Sequence, residues 1–218
     1  MFAAIVPRYD LANRLLSAGC DRYWRWLTAR RMAPARGQLA LDVACGTGDL
    51  ARALARHGGR VVGVDFTHPM LLRAAKRDRR HARLLLAGGD ALRLPFPAGT
   101  FHRVTVAFGI RNFADLPRGL AEMCRVLRPE GRVGILEFSR PRGPLAPLAR
   151  LYVDRVMPSL GGWIAGQQGP YDYLAESIQS WPEPGELARR LEEAGFRDVV
   201  WRRFAAGIAA LHVGVRAG

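Results

Sequence analysis

In LDVACGTGDL, residues 41–50, Gly46 and Gly48 make a short turn after an apolar run, with Asp42 and Asp49 on either side. A glycine turn after a strand brings backbone N–H groups close to a ligand, most often a phosphate. Carboxylates beside it repel phosphate and attract cations. Asp42 stands four residues before Gly46, Asp65 stands 17 after Gly48, and Asp90 closes the further apolar run ARLLLAGGD. A carboxylate at Asp65 can accept both hydroxyls of a ribose. Asp90 can accept from an adenine amino group while the Ala91 N–H meets a ring nitrogen. The third glycine of a dinucleotide fingerprint is replaced by Ala51, a substitution that fingerprint tolerates, so the glycines alone leave a dinucleotide open. Taken singly, each acid reads equally well as a cap or a surface charge. Together they favour a nucleoside that carries an ammonium and a sulfonium and no phosphate, S-adenosylmethionine, over a dinucleotide.

Those acids cooperate only if the fold brings them to one edge. Apolar runs at 39–45, 60–66, 82–90, 101–109 and 132–139 read as strands. Helical patterns fill 48–58, 68–78 and 116–131, the last closed by Pro129 and Gly131, and a longer one covers 10–32. Alternating strands and helices predict a parallel sheet covered on both faces. After a helix at 185–196, two runs at 197–205 and 207–217 should pair antiparallel, which gives an α/β fold with an antiparallel C-terminal strand. In such sheets ligands sit beyond the carboxyl ends of the strands, where strand order reverses. Residues 140–184 are a Pro- and Gly-marked insertion whose elements the pattern does not assign.

The 218 residues suit one α/β domain, with an N-terminal helical cap over 1–38 and the insertion at 140–184 on the substrate side. No apolar run approaches the ~20 residues needed to span a bilayer, and the first residues lack a signal-peptide pattern. Cys20, Cys45 and Cys124 are odd in number and widely spaced, which suits a reducing cytoplasm and no zinc site; no metal is expected. The net charge of +14 has two readings. It is an attraction to nucleic acid or an anionic membrane, or it is codon bias, since Lys76 is the only lysine and the other basic residues are all arginine.

The fourth strand ends in AFGIRN, residues 107–112. It lacks the Asn/Asp-Pro-Pro-aromatic turn with which amino-methylating enzymes of this fold often hold an exocyclic amine. The chain resembles the ubiquinone/menaquinone biosynthesis C-methyltransferase family over nearly its whole length. The likeness lies in FAAIVPRYDLANRLLSAGCDRYWR, LDVACGTGDLA, GDALRLPFPAGTFHRVTVAFGIRNF, CRVLRPEGRVGILEFSRP, PYDYLAESI and GIAALHVG. The glycine turn is widely shared. The Tyr-Asp-x-x-Asn opening, FGIRN and YxYLxxSI are more specific in combination.

The resemblance implies a Rossmann-like class I methyltransferase with a mostly parallel seven-stranded sheet. It implies C-methylation of a reduced prenylated quinol, a menaquinol or a ubiquinol precursor. It also implies cofactor contacts at Thr47, Asp65, Asp90 with Ala91, and Ala107, where many relatives have serine and only a backbone contact carries over. His102 stands where such folds frequently have aspartate, which would weaken a structural hydrogen bond. Around the reacting ring the resemblance points to Tyr9, Arg111 and Asn112.

The chemistry suits those residue types. A quinone carbon is electrophilic and does not attack a methyl sulfonium, whereas the hydroquinol does, especially as its phenolate. The phenol must therefore lose or share a proton. Arg111 stays protonated, so it is expected to lower the phenol pKa and stabilise phenolate, with Asn112 and Tyr9 orienting the hydroxyl or a proton-accepting water. The plainer alternatives are a turn end for Asn112, a pair with Asp115 for Arg111 and a core position for Tyr9.

A prenyl tail stays in the bilayer. Leu145, Leu148, Tyr152 and Val156 recur near helical spacing with Arg150 and Arg155 between them. They read as an amphipathic lid on anionic lipid, as a helix packed on the substrate side, or as a homodimer contact. Two further readings stay open: an RNA methyltransferase, which the charge favours but the missing amine-holding turn and short length oppose, and a non-catalytic cofactor- or lipid-binding scaffold.

Overall fold

Seven strands form one sheet in the order β3-β2-β1-β4-β5-β7-β6. The computed structural model describes residue 17 and residues 19–77, 83–156 and 176–218. The strands are β1 Leu39–Val43, β2 Arg60–Asp65, β3 Leu84–Gly88, β4 Phe101–Ala107, β5 Leu127–Phe138, β6 Phe196–Phe204 and β7 Ala209–Arg216. β1 to β5 pair in parallel, and β7 runs antiparallel to both β5 and β6. The helices are α1 Cys20–Arg31, α2 Asp49–Ala55, α3 His68–Arg77, α4 Leu116–Val126, α5 Ala146–Leu151 and α6 Pro184–Glu193.

β1 and β2 are buried almost throughout, as central parallel strands covered on both faces must be. Leu41 and Val43 enter one core with Leu120 and Met123 of α4 and Leu187 and Leu191 of α6. Ala40 enters the other, with Trp24 and Ala29 of α1 and Leu50 and Leu54 of α2. Side chains alternate along a strand, so Asp42 shares the face of Ala40 and points towards α1 and α2. Strand order reverses where β1 is flanked by β2 and β4, which opens a crevice at their carboxyl ends.

The structure corrects three boundaries. α4 ends at Val126, not at residue 131. Leu127 continues the helical apolar period, yet it pairs with Phe101 and starts β5. Arg128 precedes Pro129, a position biased away from helix. Of the expected helix over 10–32, residues 10–16 and 18 lie outside the described residues, and a continuous helix is interrupted at Gly19, whose φ of 77 makes it the N-cap of a helix that starts at Cys20. The expected strand over 82–90 stops at Gly88, so Asp90 lies two residues past its end.

In the insertion, α5 runs into a π-helical turn at Tyr152–Val156, and a helical turn covers 176–180. Ala146, Ala149 and Val153 form its buried side, while Leu145, Leu148 and Leu151 are exposed. Tyr152 is half-buried. Among the described residues, no helix is long and apolar enough to cross a membrane.

Candidate active site

A cleft of about 1400 Å³ opens over the tips of β1, β2 and β4, lined by Asp42, Gly46, Thr47, Asp65, Asp90, Ala91, Ala107 and Asn112 among others. Its floor is the glycine turn. Gly46 and Gly48 adopt φ of 55 and 80, the left-handed region that glycine enters without steric cost, and Ala44 sits at φ 50 before them. The Cys45 N–H donates to Val64 O at 2.9 Å and the Gly48 N–H to Cys45 O at 2.8 Å, which ties the turn to β2.

Asp65, the last residue of β2, completes that tie. Its Oδ2 accepts from the Gly46 N–H and its Oδ1 from the Thr67 N–H, each at 2.7 Å. Each carboxylate oxygen keeps a further lone pair for a ligand hydroxyl. Asp42 lies beneath the turn, 1% exposed, and accepts from Thr105 Oγ1 at 2.8 Å across the register that places the two residues side by side. Burial pushes its carboxyl up to about 7, with Thr105 and Arg25 opposing. The same burial, helped by the charges of Asp42 and Asp65, pushes the Cys45 thiol well up.

Arginines surround the far side of the turn. Arg52 donates to Thr47 O at 2.7 Å and to Asp49 Oδ1 at 2.6 Å. Arg77 donates to Thr47 Oγ1 and to Asp49 Oδ1, both at 3.1 Å. Burial works to raise Asp49, but Arg25, Arg77 and Arg52 outweigh it and hold its carboxyl below the usual range. At the third tip, Asp90 Oδ1 accepts from the Leu92 N–H at 2.9 Å, and Ala91 is half-buried beside it.

The residues expected at the reacting ring separate. Asn112 lines the cleft from the 3-10 turn Ile110–Asn112. Arg111 turns away and is held by Glu137 of β5, not by Asp115. Its Nη1 donates to Glu137 Oε1 at 2.7 Å and to Phe108 O at 2.9 Å, and its Nε to Ser177 Oγ at 3.3 Å. Both side chains of this ion pair are buried, at 6% and 1% exposure. Asp115 instead caps α4 through the Arg118 N–H. Tyr9 lies outside the described residues.

Two participants escaped the sequence reading. Glu137 gave one signal, an acid that follows the apolar run VGIL near the end of its strand. Arg25 gave none, because its surroundings depend on where α1 lands. His102, at the opposite end of β4, accepts on Nδ1 from the Leu39 N–H at 3.2 Å.

The strand order and the glycine turn, with Asp42, Asp65 and Asp90 around it, are those of the Rossmann-like class I methyltransferase fold. Solved structures agree on the fold. A methyltransferase from Thermotoga maritima superposes with a TM-score of 0.72 at 17% identity, covering 99% of this chain and 97% of its own. The [4+2]-cyclase SpnF superposes with a TM-score of 0.68 at 19% identity, covering 92% of this chain and 82% of its own. The family is narrower: the chain belongs to the ubiE/COQ5 methyltransferase family, which matches residues 1–216. It is 47% identical to a demethylmenaquinone methyltransferase of Thermus thermophilus over 99% of this chain and all of that one. It is 45% identical to the ubiquinone/menaquinone biosynthesis C-methyltransferase UbiE of Bordetella parapertussis, over all of this chain and 86% of that one. The protein is therefore a methyltransferase, and its methyl donor is S-adenosylmethionine.

Proposed function

We propose that the protein methylates a ring carbon of a reduced, prenylated quinol, with demethylmenaquinol as the acceptor. The observation that carries this reading is full-length similarity to relatives named for quinone methylation, at 40–47% identity for those named demethylmenaquinone methyltransferase. The cleft supports it. Asp42 is a buried carboxylate that accepts a side-chain hydrogen bond from Thr105, and it gains from a cation overhead. Asp65 retains acceptor capacity for two ribose hydroxyls. Asp90 would take the adenine amino group and the Ala91 N–H a ring nitrogen, while Thr47 and the Ala107 backbone border the donor.

S-adenosylmethionine supplies an electrophilic methyl group; the chain's residues hold it and prepare the nucleophile. Transfer is a displacement in which alignment supplies much of the rate. Asn112 and Tyr9 orient the hydroxyl, or a water that takes its proton, so that the ring carbon becomes nucleophilic. Arg111 acts at one remove. Its charge is matched by Glu137, so we assign it to positioning: it clamps the turn that presents Asn112 and ties it to Ser177 of the insertion.

The prenyl tail requires a meeting at the bilayer. Leu145, Leu148 and Leu151 are exposed on α5, with Arg150 and Arg155 nearby. We take this row as a peripheral membrane contact. Vesicle sedimentation with and without anionic lipid checks it, and no binding to either kind removes it.

The reaction itself is tested with methyl-labelled donor offered separately to reduced demethylmenaquinone, a benzoquinol precursor and bulk RNA. Label in the first supports the proposal. Label in the second alone moves the acceptor to the ubiquinol branch, and label in RNA alone overturns the quinol reading.

A further inference from the structure

A methionine-type tail carries a carboxylate beside its ammonium. The acids at the glycine turn suit the ammonium and repel the carboxylate, so a cation must answer it. Of the five arginines that line the cleft, Arg25, Arg52 and Arg77 act on Asp49 beside the glycine turn. Arg52 and Arg77 are committed to Thr47 and Asp49, which they brace from the side. Arg25 is arranged differently. It lines the cleft from α1, with Nη1 held by Asp21 Oδ2 at 2.7 Å one turn earlier. Among the described residues that is the guanidinium's one hydrogen bond, although the group carries five N–H donors.

Its plane is also set from below. The guanidinium carbon lies 4.8 Å from the centre of the Phe108 ring. Phe108 follows β4 in the left-handed region at φ 59, is buried, and packs on Phe138 with centroids 4.7 Å apart. Strain of that kind persists where the surroundings over-determine it, commonly at ligand sites. The charge of Arg25 also acts on the carboxyls of Asp49 and Asp42, so it lies near the acids of the glycine turn. An arginine that lines the cleft, lies over an aromatic ring and is anchored by one carboxylate has N–H donors left for a planar carboxylate.

We propose that Arg25 is a specificity-determining residue for the methyl donor: it receives the donor's amino-acid carboxylate and selects intact amino-acid nucleosides over decarboxylated ones. This rests on the donor site described above. Titration calorimetry with S-adenosylhomocysteine and with its decarboxylated analogue tests it. The wild-type protein should bind the first roughly 10–100-fold more tightly. Arg25→Met should lose that margin on S-adenosylhomocysteine while leaving the decarboxylated ligand's affinity unchanged. Arg25→Lys should retain an intermediate margin, because a point charge replaces the fork, and it serves in place of Arg25→Met if that variant does not fold. A wild-type margin in Arg25→Met overturns the proposal. So does equal weakening of both ligands, which marks a purely structural role. Absence of S-adenosylhomocysteine binding to the wild-type protein refutes the donor site itself, and the proposal with it.

Discussion

Two buried carboxylates, each 1% exposed, separate the donor half of the cleft from the acceptor half. Asp42 sits under the glycine turn with a hydroxyl partner, and burial lifts its carboxyl to about 7. Glu137 sits under the FGIRN turn and is answered in full by Arg111. The first carboxylate is left wanting a cation that a ligand can bring. The second is satisfied by the protein itself and acts as a strut. Similar burial on two strands of one sheet thus yields a binding group in one half and a scaffold in the other, and the difference lies in the partner.

Breaking the strut should have the largest effect. Arg111→Ala should lower kcat by on the order of 10²–10³-fold through misplacement of Asn112, with S-adenosylhomocysteine affinity retained. It should also cost about 3 kcal/mol of stability, because Glu137 is left charged and buried. Arg111→Met combined with Glu137→Leu should recover stability but not turnover. Urea unfolding and steady-state kinetics separate the two effects. Turnover near wild type in Arg111→Ala would remove the positioning role.

Breaking the donor half should act on affinity. Asp65→Ala frees the Gly46 N–H and removes the ribose acceptor, so calorimetry should show roughly 30–100-fold weaker S-adenosylhomocysteine binding. Unchanged affinity would detach Asp65 from the site.

A smaller effect sharpens the contrast by pH. The folded-state pKa of Asp42 lies above its ordinary 3.8, at about 7. Its stabilising contribution is therefore complete below the unfolded value and is lost as pH rises through the folded one. Between about pH 5.5 and 7 the wild-type protein should lose roughly 1–2 kcal/mol that Asp42→Asn does not lose. A bound cation favours the carboxylate, so donor affinity should rise over the same interval. Thr105 and the Ala51 N–H donate to this carboxylate, Arg25 attracts it and Asp65 repels it, and a flat difference between the two proteins would assign the shift elsewhere.

The smallest effect lies at the surface. Leu145→Ser with Leu148→Ser should reduce vesicle binding several-fold while leaving methylation of a short-tailed quinol unchanged. Equal loss on both would place α5 in the substrate pocket instead.

The donor half was legible because its signals are local. Glycines at a strand end and acids after apolar runs keep their meaning wherever the helices land, and β1, β2 and β4 were recognisable from their buried runs. What remained hidden depended on tertiary approach. Leu127 fits a helical period and a strand equally, and only Phe101 across the register decides between them. Arg111 was expected at the reacting ring, and a local pair with Asp115, near in sequence, was the plainer alternative. The true partner, Glu137, is 26 positions away and arrives only when β5 pairs with β4. Arg25 acquired its place by the packing of α1 over Phe108. The insertion resisted reading because its apolar residues divide between a buried side of alanines and valine and an exposed side of leucines.

The central claim is that one cleft aims a methyl group at an electron-rich ring. Incubating the protein with methyl-labelled S-adenosylmethionine and demethylmenaquinone, first chemically reduced and then oxidised, addresses it most directly. Label should appear on a ring carbon of the reduced compound and be absent from the oxidised one. Label on a quinol oxygen, equal labelling of both forms, or labelling of neither would contradict the account.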